Sequence, residues 1–158
     1  MSFLRALDIS GSGLTAQRFR MDIISNNIAN INTTRTGATT PGGNPIPYQR
    51  EVPVFESRVG DTFNSLLAGE LEGTGNGVQV STVVTDTTPF KEVYNPESPD
   101  AIWQPEAGLQ PGYVRMPNVD LVNEMVDMIS ASRAYEANVT AINAGKSMAL
   151  KALEIGKG

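Results

Sequence analysis

No cysteine and no histidine occur among the 158 residues. Their absence removes thiol nucleophiles, disulfides, the usual zinc sites and every imidazole acid–base mechanism. It leaves the redox compartment undecided, because a chain without cysteine works in either. Aromatic residues are only 6% of the chain, so any compact core is thin. No run approaches the roughly 18 apolar residues that a membrane span requires, so direct membrane insertion is not expected. Cations are in the minority: 12 Lys and Arg stand against 17 Asp and Glu, a net charge of −5. That balance argues against a nucleic-acid partner, which needs a basic face, and against anionic membrane surfaces. The opening MSFLRALDISGSG is not a secretory signal, since Arg5 and Asp8 interrupt any apolar core and no small-residue cleavage site follows. The expectation is a protein that is cytosolic or leaves the cell by a route needing no cleaved signal.

Proline divides what is present. Residues 1–31 contain none, residues 32–117 hold all 10, and none occurs from Asn118 to Ile155. The predicted organisation is a helix over 1–31, a loop and small β segment over 32–117, and a helix over 118–158. The fold class is mainly α with a small β element. In the middle, TTRTGATTPGGNPIP reads as loop. A short strand is expected within Tyr48–Val59, kept at a sheet edge by Pro53. GELEGTGNG reads as loop, and the β-branched run Val78–Val84 is the best strand in the chain. PFKEVY is expected to pair with that strand, and NPESPDAIWQPEAGLQPG to return to turns. A β element of two to four strands is too small to stand without helical support. For the last helix, Asn118 is the expected N-cap. Asp120, Glu124 and Asp127 near its start and Lys146, Lys151 and Lys157 near its end suit the helix dipole. About 38 residues at 1.5 Å each make it roughly 55–60 Å long.

Both helices carry two apolar faces. In the first, Leu7, Leu14, Met21 and Ile28 recur every seven residues, with Phe3 and Ile24 beside them, while Ile9, Ala16, Phe19 and Ile23 fall nearly opposite. In the last, Leu121, Met125, Met128, Tyr135, Val139, Ile142, Ala149 and Leu153 form a stripe, widened by Val122 and Ile129 and interrupted by Ser132 and Lys146. Across from it run Ala134, Ala137, Ala141 and Ala144, which let another backbone come close. The chain ends can pair as an antiparallel coiled coil and bury one seam apiece. Each buried Leu, Ile or Phe contributes about 1.5–3 kcal/mol, so leaving Ile9, Phe19 and Ile23 in water forfeits several. The second faces require a second partner, which repeated identical chains supply.

No catalytic, cofactor-binding or metal-ligating set stands out. GTGNG lacks the spacing and the Lys-Ser/Thr of a phosphate loop. Asp120, Glu124 and Asp127 share one side of the helix but read as a solvated or interfacial acidic face. Asn26, Asn27, Asn30 and Asn32 are expected to stop the first helix and to hydrogen-bond across a subunit contact. Arg133 and Glu136 can pair between chains, and Asn138-Val-Thr140 inside a helix is dismissed as a glycosylation acceptor. The rivals are a carboxylate-dependent hydrolase, for which no core large enough to shape a pocket is evident, and an adaptor that binds one helical partner without polymerising.

Residues 6–34, ALDISGSGLTAQRFRMDIISNNIANINTT, resemble the N-terminal signature shared by flagellar rod and hook proteins, most specifically in Ser25-Asn26-Asn27-Ile28-Ala29-Asn30 and Thr33. Residues 112–155 resemble the matching C-terminal signature through Gly112-Tyr113-Val114, Pro117-Asn118-Val119-Asp120, Glu124-Met125-Val126 and Arg133-Ala134-Tyr135-Glu136-Ala137-Asn138. Pro89-Phe90, Tyr94-Asn95-Pro96 and Pro99-Asp100-Ala101 also match and point to a proximal rod subunit with a short middle segment. Residues 35–77 fit only loosely. The resemblance implies export, unfolded, through the flagellar export apparatus, then assembly at the tip in the periplasm or cell-wall zone. There the terminal helices pair and pack into a torque-transmitting tube around the export channel. Implied partners are further copies of itself, other proximal rod proteins, the rod-base adaptor protein, the distal rod protein and the membrane-ring protein. No activity and no cofactor are implied. Lifted to interface residues are Leu7, Ile9, Leu14, Phe19, Met21, Ile23, Asn27, Ile28 and Asn30 in the first helix. In the last they are Leu121, Met125, Met128, Arg133, Tyr135, Ala137, Asn138, Val139 and Ile142.

Overall fold

A computed structural model of the chain describes residues 3–58, 76–104 and 108–156. Two long helices, α1 (Phe3–Ala29) and α2 (Leu121–Ile155), flank four short strands: β1 (Glu51–Ser57), β2 (Val78–Thr85), β3 (Lys91–Tyr94) and β4 (Tyr113–Met116). The strands form two separate two-stranded sheets, β1 with β2 and β3 with β4. Apart from Asn76 and Gly77, the expected GELEGTGNG loop lies outside the described residues. By compactness the chain divides into one unit of residues 1–22, 53–83 and 128–158 and another of residues 23–52 and 84–127.

Asparagine ends α1 as expected. The backbone N–H of Asn30 donates to the Asn26 carbonyl at 3.1 Å, and the Asn30 side chain donates to the same oxygen at 3.0 Å. The Asn26 carbonyl thus takes the last i→i−4 bond of the helix and a side-chain bond besides. The start of α2 corrects one expectation. Its N-cap is Asp120, whose Oδ1 accepts from Val122 N at 2.8 Å and Asn123 N at 3.2 Å. Asn118 is engaged elsewhere: its Oδ1 accepts from Arg50 N, and its Nδ2 donates to the carbonyls of Asp86 and Thr88.

The expected pairing of PFKEVY with the Val78 strand is also corrected. Lys91–Tyr94 pairs antiparallel with Tyr113–Met116, with Lys91 opposite Met116 and Tyr94 opposite Tyr113. Tyr113-Val114-Arg115-Met116 is itself strand-like, with Val114 buried, and Gly112 at φ 85° turns the chain into it. The Tyr94 and Tyr113 rings meet edge to face at 5.2 Å between centroids. The core of the second unit gathers Ile23, Ile24, Ala101, Ile102 and Val114, whereas the described core of the first unit is small, with Ala16 and Ala131.

Candidate assembly surface

The second unit holds a buried polar cluster. Asn27, only 1% exposed, makes a full set of hydrogen bonds. Its Oδ1 accepts from Glu51 N at 3.0 Å and from the Tyr48 hydroxyl at 2.9 Å. Its Nδ2 donates to Glu51 O at 2.9 Å and to Glu124 Oε2 at 3.2 Å. The side-chain amide thereby acts toward Glu51 as a neighbouring strand's peptide does, docking the end of α1 on the start of β1. Glu124, with no exposed surface, also accepts from Arg50 Nε at 2.6 Å. Arg50 reaches Asp127 at 3.3 Å and Asp86 at 3.5 Å, so one guanidinium serves three carboxylates.

Titration follows this geometry. Burial pulls the Arg50 guanidinium down, but the hydrogen bond and charge of Glu124, with Asp86 and Asp127, outweigh it and hold the group above its ordinary value. Asp86 is held low by the Thr88 backbone N–H, against its burial, with Thr88 Oγ1 and Arg50 adding to the effect. The Tyr48 phenol is pushed up to about 12 by burial first and then by the negative charges of Glu51 and Glu124.

Two expectations change here. The acidic face of α2 is not a solvated trio: Asp120 caps the helix, Asp127 bonds Arg50, and Glu124 is wholly interior. The Asn27 side chain spends its hydrogen bonds inside the chain rather than across a subunit contact. Among the described residues, no group of three or more Asp, Glu, His or Cys side chains is placed to hold a metal ion.

The inward face of α2 is small and polar. Glu124, Ala131 and Gly145 are buried and Asn138 is half-buried, at a seven-residue spacing. In the first unit, a Cβ built on Gly13 meets the Asn138 amide at 3.1–3.3 Å, so the two helices approach closely there. Met128, Tyr135, Ile142 and Ala149 flank that seam half-buried, as does Val139. The larger apolar residues at the head of α2 stay outside: Leu121 is 44% exposed, Val122 68%, Met125 52%, Val126 62% and Ile129 53%. Arg133 and Ala137 are exposed, as are Met148, Leu150, Leu153 and Ile155 at the far end.

On α1, Leu7, Ile9, Leu14, Met21, Ile28 and Asn30 are half-buried, and Phe19 is 41% exposed. Ile23 and Ala16, expected on a strip left for a second partner, are buried by the chain's own fold. The second face of α1 is therefore only partly available. What remains of it borders a groove of about 650 Å³ in the first unit, lined by Ser12, Thr15, Phe19, Arg58 and the Val78–Val83 strand. Sequence reasoning missed Arg50, Tyr48 and the inward role of Glu124. Their partners lie 21 to 77 residues away, and no local pattern announces them.

Known proteins are similar to this chain in sequence along their whole length. Residues 7–35 match the family described as "Flagella basal body rod protein" and residues 110–155 the family described as "Flagellar basal body rod FlgEFG protein C-terminal". These are the two signature regions read from the sequence. The flagellar basal-body rod protein FlgC of Bacillus subtilis is 47% identical over 160 residues, covering 99% of this chain and 100% of that protein. The FlgC of Borreliella burgdorferi is 47% identical over 161 residues, with 100% of both chains covered. The FlgC of Escherichia coli O6:H1 is 40% identical over 157 residues, covering 99% of this chain and 100% of its own length. With similarity this high from end to end, the chain belongs to the FlgC family of flagellar basal-body rod proteins.

Proposed function

We infer that this chain builds the proximal section of the rod, with α1 and α2 paired antiparallel and their outward apolar faces covered by neighbouring subunits. Family membership makes it a structural subunit of the rod of the flagellar basal body. The antiparallel pairing is supported by two contacts. Gly13 faces Asn138 in the first unit, and Asn27 bonds Glu124 in the second. The spacing from Gly13 to Asn27 equals that from Glu124 to Asn138, taken in opposite senses, as antiparallel helices require.

The observation that carries the assembly reading is the exposed head of α2. Leu121, Val122, Met125, Val126 and Ile129 are large, apolar and uncovered, while the inward seam of the same helix is Ala, Gly, Asn and Glu. A helix that turns its small residues inward and its large ones outward has its main apolar burial still to make. At about 1.5–3 kcal/mol for each side chain covered, that face supplies a gross gain of order 10 kcal/mol against the cost of docking. The neighbours we infer are further copies of the chain, other proximal rod proteins, the rod-base adaptor, the distal rod protein and the membrane-ring protein. The chain reaches its place in the periplasm or cell-wall zone through the export apparatus, without a cleaved signal, and serves there as a torque-transmitting wall around the export channel. The buried Glu124 carboxylate is committed to Arg50 and Asn27, which suits scaffolding.

Met125→Asp on the outward face and Phe19→Asp at the groove test this reading. Both are expected to leave export and the melting temperature of the purified chain nearly unchanged while abolishing rod completion and swimming. Normal rods and motility with both changes would remove the basis for the inference.

A further inference from the structure

The inward seam of α2 poses a problem that the fold has to solve. Glu124, Ala131, Asn138 and Gly145 recur every seven residues. Its Ala and Gly members offer no large side chain to index one helix against another. Sliding α2 by one heptad puts Asn138 or Glu124 at the height of Ala131, and Gly145 or Ala131 at that of Asn138, so apolar packing of these seam members discriminates weakly between registers. Such a pair needs a polar contact whose geometry is satisfied in one register only, the best-attested use of buried polar groups between helices.

We propose that Asn27 is the positioning residue that sets the axial register of α2 against α1, acting through Glu124. The proposal rests on the antiparallel pairing inferred above. Asn27 is held independently of α2, because three of its four hydrogen bonds go to Tyr48 and to both backbone groups of Glu51. Its one remaining donor points at Glu124 Oε2, and the other oxygen of that carboxylate is taken by Arg50. Arg50 immediately precedes Glu51, so both partners of Glu124 are held by the same few residues at the start of β1. A slip of one heptad brings Ala131 to this place. Asn27, still enclosed, then loses an acceptor, and Arg50 loses both Glu124 and Asp127, which ride on the same helix. Register then decides which height of the outward face, Leu121 to Ile129, meets a neighbouring subunit.

The absence of native cysteine makes register directly readable. The full chain carrying Gly13→Cys is combined in turn with Ala131→Cys, Ala134→Cys, Asn138→Cys, Ile142→Cys or Gly145→Cys and oxidised, and intramolecular disulfide yield is measured. The contact at Gly13 suits a disulfide to position 138. With Asn27 intact, 138 is expected to be the dominant partner. With Asn27→Leu, yields are expected to rise from background to a level comparable with 138 at 145, which the one-heptad slip brings opposite Gly13, or at 131, 134 or 142. Glu124→Leu is expected to do the same. Glu124→Gln, which keeps an acceptor for Asn27, is expected to preserve the choice of 138. If Asn27→Leu and Glu124→Leu lower the melting temperature yet leave 138 the sole partner, Asn27 merely stabilises and the proposal is overturned. If 138 gives no disulfide even with Asn27 intact, the antiparallel pairing itself is wrong.

Discussion

Removing Arg50 should harm the fold more than removing Glu124, although the two side chains form one ion pair. Glu124 has no exposed surface, and Arg50 Nε at 2.6 Å is the contact that offsets its charge. In Arg50→Ala the carboxylate keeps only the Asn27 amide at 3.2 Å and stays enclosed, the situation that costs about 3–5 kcal/mol when one partner of a buried pair is lost. In Glu124→Ala the guanidinium is 23% exposed and keeps Asp127 at 3.3 Å and Asp86 at 3.5 Å, while Asn27 keeps its donation to Glu51 O. That loss is nearer 2 kcal/mol, the scale of a charged hydrogen bond with its partner still served. The double variant strands neither charge and should cost about 3 kcal/mol, well short of the sum, a coupling of about 3 kcal/mol between residues in contact. Urea titration of the four chains, followed by far-ultraviolet circular dichroism, measures these differences. In thermal melts, Arg50→Ala should lower the midpoint by roughly 8–16 °C for a chain of this length. Glu124→Ala costing as much as Arg50→Ala, or strictly additive losses, would refute the claim that Glu124 depends on Arg50.

Three further outcomes follow from single contacts. Tyr48 has its phenol raised to about 12, above the ordinary 10.0. The stability it contributes is therefore complete below pH 10 and lost as pH rises toward 12. Tyr48→Phe should flatten that alkaline limb in melts at pH 8, 10 and 11, and equal slopes in both chains would contradict it. Asp100 is held low mainly by the Thr34 hydroxyl at 2.6 Å, against burial, with Arg35 adding to the effect. A depressed carboxyl stabilises above its unfolded value near 3.8 and loses that contribution as pH falls through its folded value. Thr34→Val should shrink the stability lost between pH 5 and pH 3 in urea titrations, and an unchanged loss would contradict that. At Gly77, φ is +94° and an added Cβ runs into the Ser12 hydroxyl. That hydroxyl accepts from Val78 N and donates to Ile9 O. Gly77→Ala should cost about 2–3 kcal/mol from backbone strain and clash together. Adding Ser12→Ala should recover only part of it, because the strained φ remains.

How far the sequence could be read depended on the range of the interaction that decides each feature. The helices were legible because proline is absent from both and apolar residues recur along them, and the Asn26–Asn30 cluster marked where α1 stops. The two best strands were legible from β-branched content. Features decided at long range were not. Asn118 and Asp120 are both good N-caps by type, and Asp120 takes the role because Asn118 is held by Arg50, 68 residues earlier. The partner of Lys91–Tyr94 is chosen by sheet pairing across the turn-rich segment that ends at Gly112, and the strand itself is exposed throughout.

Glu124 is the sharpest case. An acid in the first turn of a helix reads as a dipole partner on the surface, and nothing nearby says that an arginine 74 residues away will enclose it. The consequence reaches the assembly surface. Periodicity reveals that α2 has two faces but leaves undetermined which of them folds inward, and size suggests that the larger residues do. The buried carboxylate reverses that sign: by turning inward it carries Ala131, Asn138 and Gly145 with it and leaves Leu121, Val122 and Met125 exposed. One long-range polar contact, invisible to local pattern, therefore decides which surface of the helix faces outward.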